Sequence, residues 1–221
     1  MTEAAFTPRH VGLIPDGTRR WAKSHKVSQA VAYDRALDRV VELVEHLWAR
    51  GVQTVSIYFL SYKNLSRTSE ELVPVYAAET RVCQTSLAAA AQTWDAQVRA
   101  VGETQLVPEA FSMALAKLEE RQSHSGRRLY LLVAYDPRRE LASCADLLRC
   151  HERDPLHALT VSQPVDLVIR TSGVHSLSDF LPLQASYAQL YFVEEHINDV
   201  TVAQLDEMLD RYAGTPRRFG R

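Results

Sequence analysis

Apolar positions along this chain recur with two periods, and the two take turns. The first run, Val11-Gly12-Leu13-Ile14, is short, unbroken and bounded by polar residues, which predicts a buried strand. Leu37, Val40, Val41, Val44, Leu47 and Trp48 then fall at helical spacing, with Gly51 as a natural stop. Val55, Ile57 and Phe59 alternate in a β-rich run. Residues 69–94 read as one long helix ending in the Ala-rich segment SLAAAAQTW. DAQVRAVG is a strand and PEAFSMALAKLEERQS a helix opening at Pro108. RRLYLLVAY is an apolar strand, PRRELASCADLLRCH a helix and PVDLVIRTSG a further apolar strand. The last element, TVAQLDEMLDRYAG, is an amphipathic helix with Thr201 as N-cap and Gln204 three residues on. This alternation predicts an α/β fold with a mostly parallel sheet flanked by helices. No repeat, low-complexity tract or linker interrupts it, so residues 1–221 are expected to form a single domain.

The same pattern puts polar residues just past the strand ends, where open α/β sheets bind their ligands. Pro15 ends the first strand and Gly17 permits a sharp turn, which leaves Asp16, Thr18, Arg19 and Arg20 at that edge. Ser61, Asn64 and Arg67 follow the second strand, and Arg138 follows a third. Arg170, Thr171, Ser172 and Ser178 follow the apolar strand near residue 168. Each cluster alone is an ordinary set of solvated turn and cap residues. Four of them at one sheet edge predict a cleft for an anionic ligand, with arginines as bidentate phosphate partners. One acid beside two guanidinium groups at Asp16, Arg19 and Arg20 points to a metal and a phosphate.

Composition narrows the picture. The chain has 221 residues, a formal net charge of −2, 46% hydrophobic and 24% charged residues, an ordinary globular make-up without the basic excess of a nucleic-acid partner. Cys83, Cys144 and Cys150 form no CxxC pair and fit a reducing, cytoplasmic setting as small packed hydrophobes. No N-terminal segment has the apolar stretch of a signal peptide, and no apolar run approaches the ~18 residues of a membrane span. There is no GxxxxGK[ST], GxGxxG, HExxH or GxSxG sequence. The eight histidines, His10, His25, His46 and His175 among them, are scattered, which argues against a zinc cluster.

The segment HVGLIPDGTRRWA resembles the first signature of the cis-prenyltransferases, the undecaprenyl diphosphate synthase family, H-V-A-I-I-x-D-G-N-x-R-W-A. VSIYFLSYKNLSR is similar to the family's strand and S-x-E-N-W-x-R segment. VDLVIRTSGVHSLSDFLPLQASYAQLYF is similar to D-L-x-I-R-T-G-G-E-x-R-I-S-N-F-L-x-W-Q-x-A-Y-A-E-L-Y-F, and RRFG to the R-x-G ending. The resemblance spans residues 10 to 220. It implies a six-stranded parallel sheet flanked by helices, a homodimer, a tunnel for an apolar tail, Mg²⁺ as cofactor and small allylic diphosphates as substrates. By the same resemblance Asp16 would bind Mg²⁺ and assist departure of diphosphate, with Asn64 as a second catalytic position. Gly17, Thr18, Arg19, Arg20 and Trp21 correspond to the donor-diphosphate loop. Ser61 and Arg67 fall on site positions. Arg170 and Ser178, and Arg218 and Gly220 from the tail of a partner subunit, fall where the second substrate's diphosphate is held.

The departures from the family pattern concentrate in that site. Thr18 replaces its asparagine, and Gln29 and Tyr33 replace an arginine and a histidine beside the donor diphosphate. Lys63 and Leu65 replace glutamate and tryptophan, and bulky Phe59 replaces a small residue where the tail would pass. In the last signature Val174, Ser176 and Asp179 replace glutamate, arginine and asparagine, and Gln189 replaces a metal-binding glutamate. An amide oxygen is a poorer Mg²⁺ ligand than a carboxylate. A retained ionising loop beside an altered acceptor site fits an irregular, lavandulyl-type synthase, which condenses two allylic diphosphates head to middle. The alternatives are a regular short-chain synthase using isopentenyl diphosphate, and a non-catalytic partner subunit.

Overall fold

The computed structural model describes residues 7–150 and 154–215. Its six strands are β1 (His10–Ile14), β2 (Thr54–Tyr58), β3 (Gln97–Val101), β4 (Arg128–Leu132), β5 (Leu167–Arg170) and β6 (Gln189–Phe192). They form one sheet in the order β3-β4-β2-β1-β5-β6, and every neighbouring pair is parallel. Helices α1 (Thr18–His25), α2 (Gln29–Ala49), α3 (Ser69–Gln84), α4 (Ser86–Thr93), α5 (Glu109–Glu119), α6 (Pro137–Ser143), α7 (Ala145–Cys150) and α8 (Val202–Ala213) flank it. The central strands β1 and β2 are buried along their whole length, as strands covered on both faces of a parallel sheet are, including the buried hydroxyls of Thr54 and Ser56 in β2. The stripe Leu37, Val40, Val41, Val44, Leu47 and Trp48 of α2 is wholly buried against them.

Three elements differ from the sequence expectation. The helix expected over 69–94 is two helices, broken at Thr85, whose hydroxyl donates 2.8 Å back to the Arg81 carbonyl. A β-branched hydroxyl residue competes in this way with the helical ladder. The helix expected over PRRELASCADLLRCH is likewise two, α6 and α7, parted at Cys144. Helix α1 has only three buried residues, Thr18, Trp21 and Ala22, too short a stripe to signal itself by periodicity.

Register decides what meets at the C-terminal edge. β1 lies between β2 and β5, and Ile14 stands level with Arg170. The loop after β1 and the end of β5 therefore leave the sheet side by side. Gly12 allows a further close approach, because a Cβ there would lie 2.5 Å from the Phe180 ring, which packs over β1.

Candidate active site

Asp16 sits at the centre of the edge. The Thr171 hydroxyl fixes its backbone from both ends, accepting from the Asp16 N–H and donating to its carbonyl, each at 2.8 Å. Gly17 follows at φ 98°, where a Cβ would lie 2.4 Å from both His196 Nδ1 and Ser172 Oγ, so glycine is required on both counts. Its N–H donates to Asp16 Oδ1 at 2.6 Å. Arg170 Nη2 donates to Asp16 Oδ2 at 2.9 Å, and Arg20 approaches Oδ1 at 3.5 Å. The carboxylate is thus clasped between two guanidinium groups at the N-terminus of α1.

A cavity of about 730 Å³ opens in front of this cluster. Among the expected positions, Asp16, Gly17, Thr18, Arg19, Arg20, Tyr33, Phe59, Ser61, Asn64, Arg67, Arg170 and Ser178 line it. Lys23 adds a fifth cation to Arg19, Arg20, Arg67 and Arg170, against the carboxyls of Asp16, Glu71 and Glu79. Arg19 is ion-paired to Glu71. The first N–H groups of α1 carry no side-chain cap. Uncapped helix N–H groups beside surplus guanidinium charge make an anion site. The deeper wall is apolar, formed by Ala36, Leu37, Val40, Phe59 and Val75. One end suits a diphosphate and the other a hydrocarbon tail.

Some expected positions have other work. Trp21 does not line the cavity: it is buried in a small core with Ala22 and Ala32, stacked on His25 at 4.1 Å and covered by Arg35. It lies on the face of α1 turned to α2, so a direct substrate contact is corrected to a packing role. Ser61 and Asn64 form a reciprocal capping box that shapes the turn Tyr62–Ser66, and the Asn64 carbonyl is committed to the Ser61 N–H at 3.1 Å. Arg218 and Gly220 lie outside the described residues.

Arg170 and Ser178 face the cavity from the end of β5 and the loop after it, whereas Gln189, which opens β6, stands level with Leu167 and lies outside the cavity lining. Arg170, 7% exposed, donates from Nη1 to the Ser176 carbonyl at 2.6 Å and to Ser178 Oγ at 2.7 Å. Ser176 thus supports Arg170 and lies outside the cavity lining. Ser178, Asp179 and Leu181 all have positive φ (50°, 68° and 39°), a strained run for residues with side chains. Lys63 bonds Asp179 at 2.7 Å and Arg138 approaches it at 3.3 Å. The Lys63 hydrogen bond above all holds the Asp179 carboxyl below its ordinary pKa. Tyr58 donates to the Ser178 carbonyl at 3.2 Å. Gln189 accepts from the Tyr191 phenol at 2.9 Å, which occupies the amide oxygen. His175 is exposed, stacked on Phe192 at 4.8 Å.

Glu79 escaped the sequence reading. It is a cavity-lining carboxyl 2% exposed, and burial above all pushes its pKa up to about 8, with Arg67 opposing. A signal was available: Leu72, Val75, Glu79, Val82 and Cys83 share one helical stripe, with a single charge inside it.

No group of three or more His, Cys, Asp or Glu side chains able to hold a metal occurs among the described residues. A divalent ion at Asp16 would therefore share one protein carboxylate with oxygens of its ligand, the coordination that Mg²⁺ favours beside phosphates. No helix among the described residues is long and apolar enough to cross a membrane.

Residues 14–220 match the family model described as "Putative undecaprenyl diphosphate synthase". The chain is 32% identical to isoprenyl transferase 2 of Bradyrhizobium diazoefficiens, over 96% of this chain and 90% of that protein. It is 29% identical to the (2Z,6E)-farnesyl diphosphate synthase of Mycolicibacterium smegmatis, over 98% and 89%. In fold it matches the lavandulyl diphosphate synthase of Lavandula x intermedia, crystallised with dimethylallyl diphosphate, at a TM-score of 0.90 and 24% identity, covering 97% of this chain and 99% of that one.

Proposed function

Because the chain belongs to the undecaprenyl diphosphate synthase family of prenyltransferases, we propose that it joins two short allylic diphosphates head to middle, giving a branched lavandulyl-type diphosphate. Dimethylallyl diphosphate is the acceptor, and dimethylallyl or geranyl diphosphate the donor. The observation that carries this reading is the asymmetry of the site. The donor side keeps Asp16, Gly17 and Arg20 in the cavity lining around an uncapped helix terminus, while Ser176 and Gln189, which stand where the family pattern has arginine and glutamate, lie outside that lining, with the Gln189 amide bonded to Tyr191. The lavandulyl synthase likeness supports the fold alone and does not choose between readings. The curated relatives favour a regular short-chain cis synthase that uses isopentenyl diphosphate, and this is the second reading.

In the proposed reaction the donor's C1–O bond breaks and diphosphate leaves with the electron pair. Arg19, Arg20, Arg67 and the α1 N–H groups stabilise the charge that develops on it. Asp16, together with the substrate's own phosphates, would hold Mg²⁺, which would supply further neutralisation of the leaving group. Leu37, Val40 and Phe59 keep water from the allylic cation. C2 of the acceptor attacks donor C1, and the resulting tertiary cation at acceptor C3 loses a methyl proton to the departed diphosphate. Arg170, oriented by Ser176 and Ser178, holds the diphosphate that the product retains. The protein acts as a homodimer, for which the exposed Leu183, Tyr187 and Leu190 around the β6 edge provide an apolar contact.

The test is a mass-spectrometric product assay with dimethylallyl, geranyl and isopentenyl diphosphates offered singly and in pairs, with Mg²⁺. A branched product formed without isopentenyl diphosphate is expected. A product that requires isopentenyl diphosphate replaces this reading with the regular synthase.

A further inference from the structure

We propose that Glu79 is a specificity-determining residue, giving the tail end of the cavity a hydrogen-bonding wall that accepts short allylic tails and rejects long apolar ones. The proposal rests on the prenyl diphosphate reading of the cavity but not on the choice of acceptor.

Glu79 lines the same cavity as the arginines, with Arg67 near enough to oppose the rise of its pKa. Glu71, near the start of α3, pairs with Arg19 at the diphosphate wall. Glu79 lies eight residues on, about 12 Å at the rise of a helix. Its side chain is 98% buried by the measure of 2% exposure, and Oε2 has no hydrogen-bond partner. Such buried unpaired oxygens are rare and call for an explanation. The Tyr33 phenol, also facing the cavity from α2, makes no hydrogen bond among the described residues. Around these two polar tips the wall is hydrocarbon, Leu37, Val40, Phe59 and Val75.

Asp16 is neutralised by Arg170 and Arg20, and Glu71 by Arg19, so Glu79 is the one cavity carboxyl without an ion pair among the described residues. A tail too short to reach it leaves room for water against its oxygens. A longer apolar tail displaces that water and returns no hydrogen bond, a penalty that grows if the group is charged. Phe59 restricts the passage by size, and Glu79 discriminates by polarity.

The test measures binding of non-ionisable thiolodiphosphate analogues of the dimethylallyl, geranyl and farnesyl substrates to wild type, Glu79→Leu and Glu79→Gln by calorimetry. Glu79→Leu is expected to tighten the farnesyl analogue relative to the dimethylallyl one by about tenfold or more, while Glu79→Gln keeps the wild-type ratio. A ratio within about twofold of wild type in folded Glu79→Leu overturns the proposal.

Should the leucine variant not fold, pH supplies the second measurement. As the carboxyl ionises near pH 8, the wild-type preference for the short tail should increase from about pH 7 to about pH 9, and Glu79→Gln should stay flat. The other groups around it do not titrate the same way: burial raises Tyr33, Tyr76 and Cys83 above their ordinary pKa values. A wild-type ratio that does not move with pH overturns the proposal. Failure of all three analogues to bind overturns the diphosphate reading of the cavity with it, whereas a regular, isopentenyl-using acceptor step would leave the tail preference standing.

Discussion

The two walls of the cavity are built by opposite means. On the Asp16 wall the backbone is held by regular structure, a strand end, a required glycine and a helix terminus, and its charged side chains face the cavity. On the wall of Arg170 and Ser178 the backbone is irregular and strained, and its polar side chains are largely committed to one another. Chemistry that ionises a diphosphate needs the first kind of wall, rigid and charged before the substrate arrives. The second kind chooses what stands opposite, and residues there can change in company without disturbing the first. Arg170 is the pin between them, bonded to Asp16 from one nitrogen and to Ser176 and Ser178 from the other.

The largest effect should come from breaking the first wall. Asp16→Ala is expected to lower turnover by ~10²-fold or more if, as proposed, its carboxylate holds Mg²⁺ against the departing diphosphate. Arg170 would keep its bonds to Ser176 and Ser178, so the unfolding temperature should change by only a few degrees. A folded variant with more than half the wild-type rate excludes that role. A smaller effect should follow from rebuilding the surroundings of the second wall towards the family pattern. Ser176→Arg with Gln189→Glu is expected to shift the ratio of kcat/KM for isopentenyl over dimethylallyl diphosphate by roughly tenfold, the worth of one charge-assisted contact. An unmoved ratio would place acceptor choice elsewhere. The smallest effect belongs to the strut joining the walls of the 62–66 turn and the 176–181 loop. A double-mutant cycle of Lys63→Ala and Asp179→Ala should give a coupling below about 1 kcal/mol in thermal unfolding, because Lys63 is largely exposed.

The sheet was legible because parallel strands buried on both faces leave nearly unbroken apolar runs, as β1, β4 and β5 do, while β2 showed itself by the alternation of Val55, Ile57 and Phe59. β6 was not visible this way: as an edge strand it is half-exposed, and only the family resemblance implied it. The Asp16 cluster was legible because its members are consecutive in the chain. Trp21 was misplaced for the same reason, since adjacency along a helix puts side chains on different faces. Arg170 and Asp16 are 154 residues apart, and sequence alone could place them at one sheet edge but not in contact. Glu79 was hidden because residues 69–94 read as one helix whose apolar stripe, in which Glu79 is the single charge, was not resolved.

The Lys63–Asp179 bridge also bears on how such a chain could have come about. Relative to the family pattern both positions are changed, glutamate to lysine and asparagine to aspartate, and the order matters. Lysine first would face a neutral amide, a tolerable intermediate. Aspartate first would oppose the glutamate across the same gap, with like charges repelling. At a coupling below about 1 kcal/mol, and with Arg138 also approaching Asp179 at 3.3 Å, this favours entry at residue 63 and reversion from residue 179 only slightly.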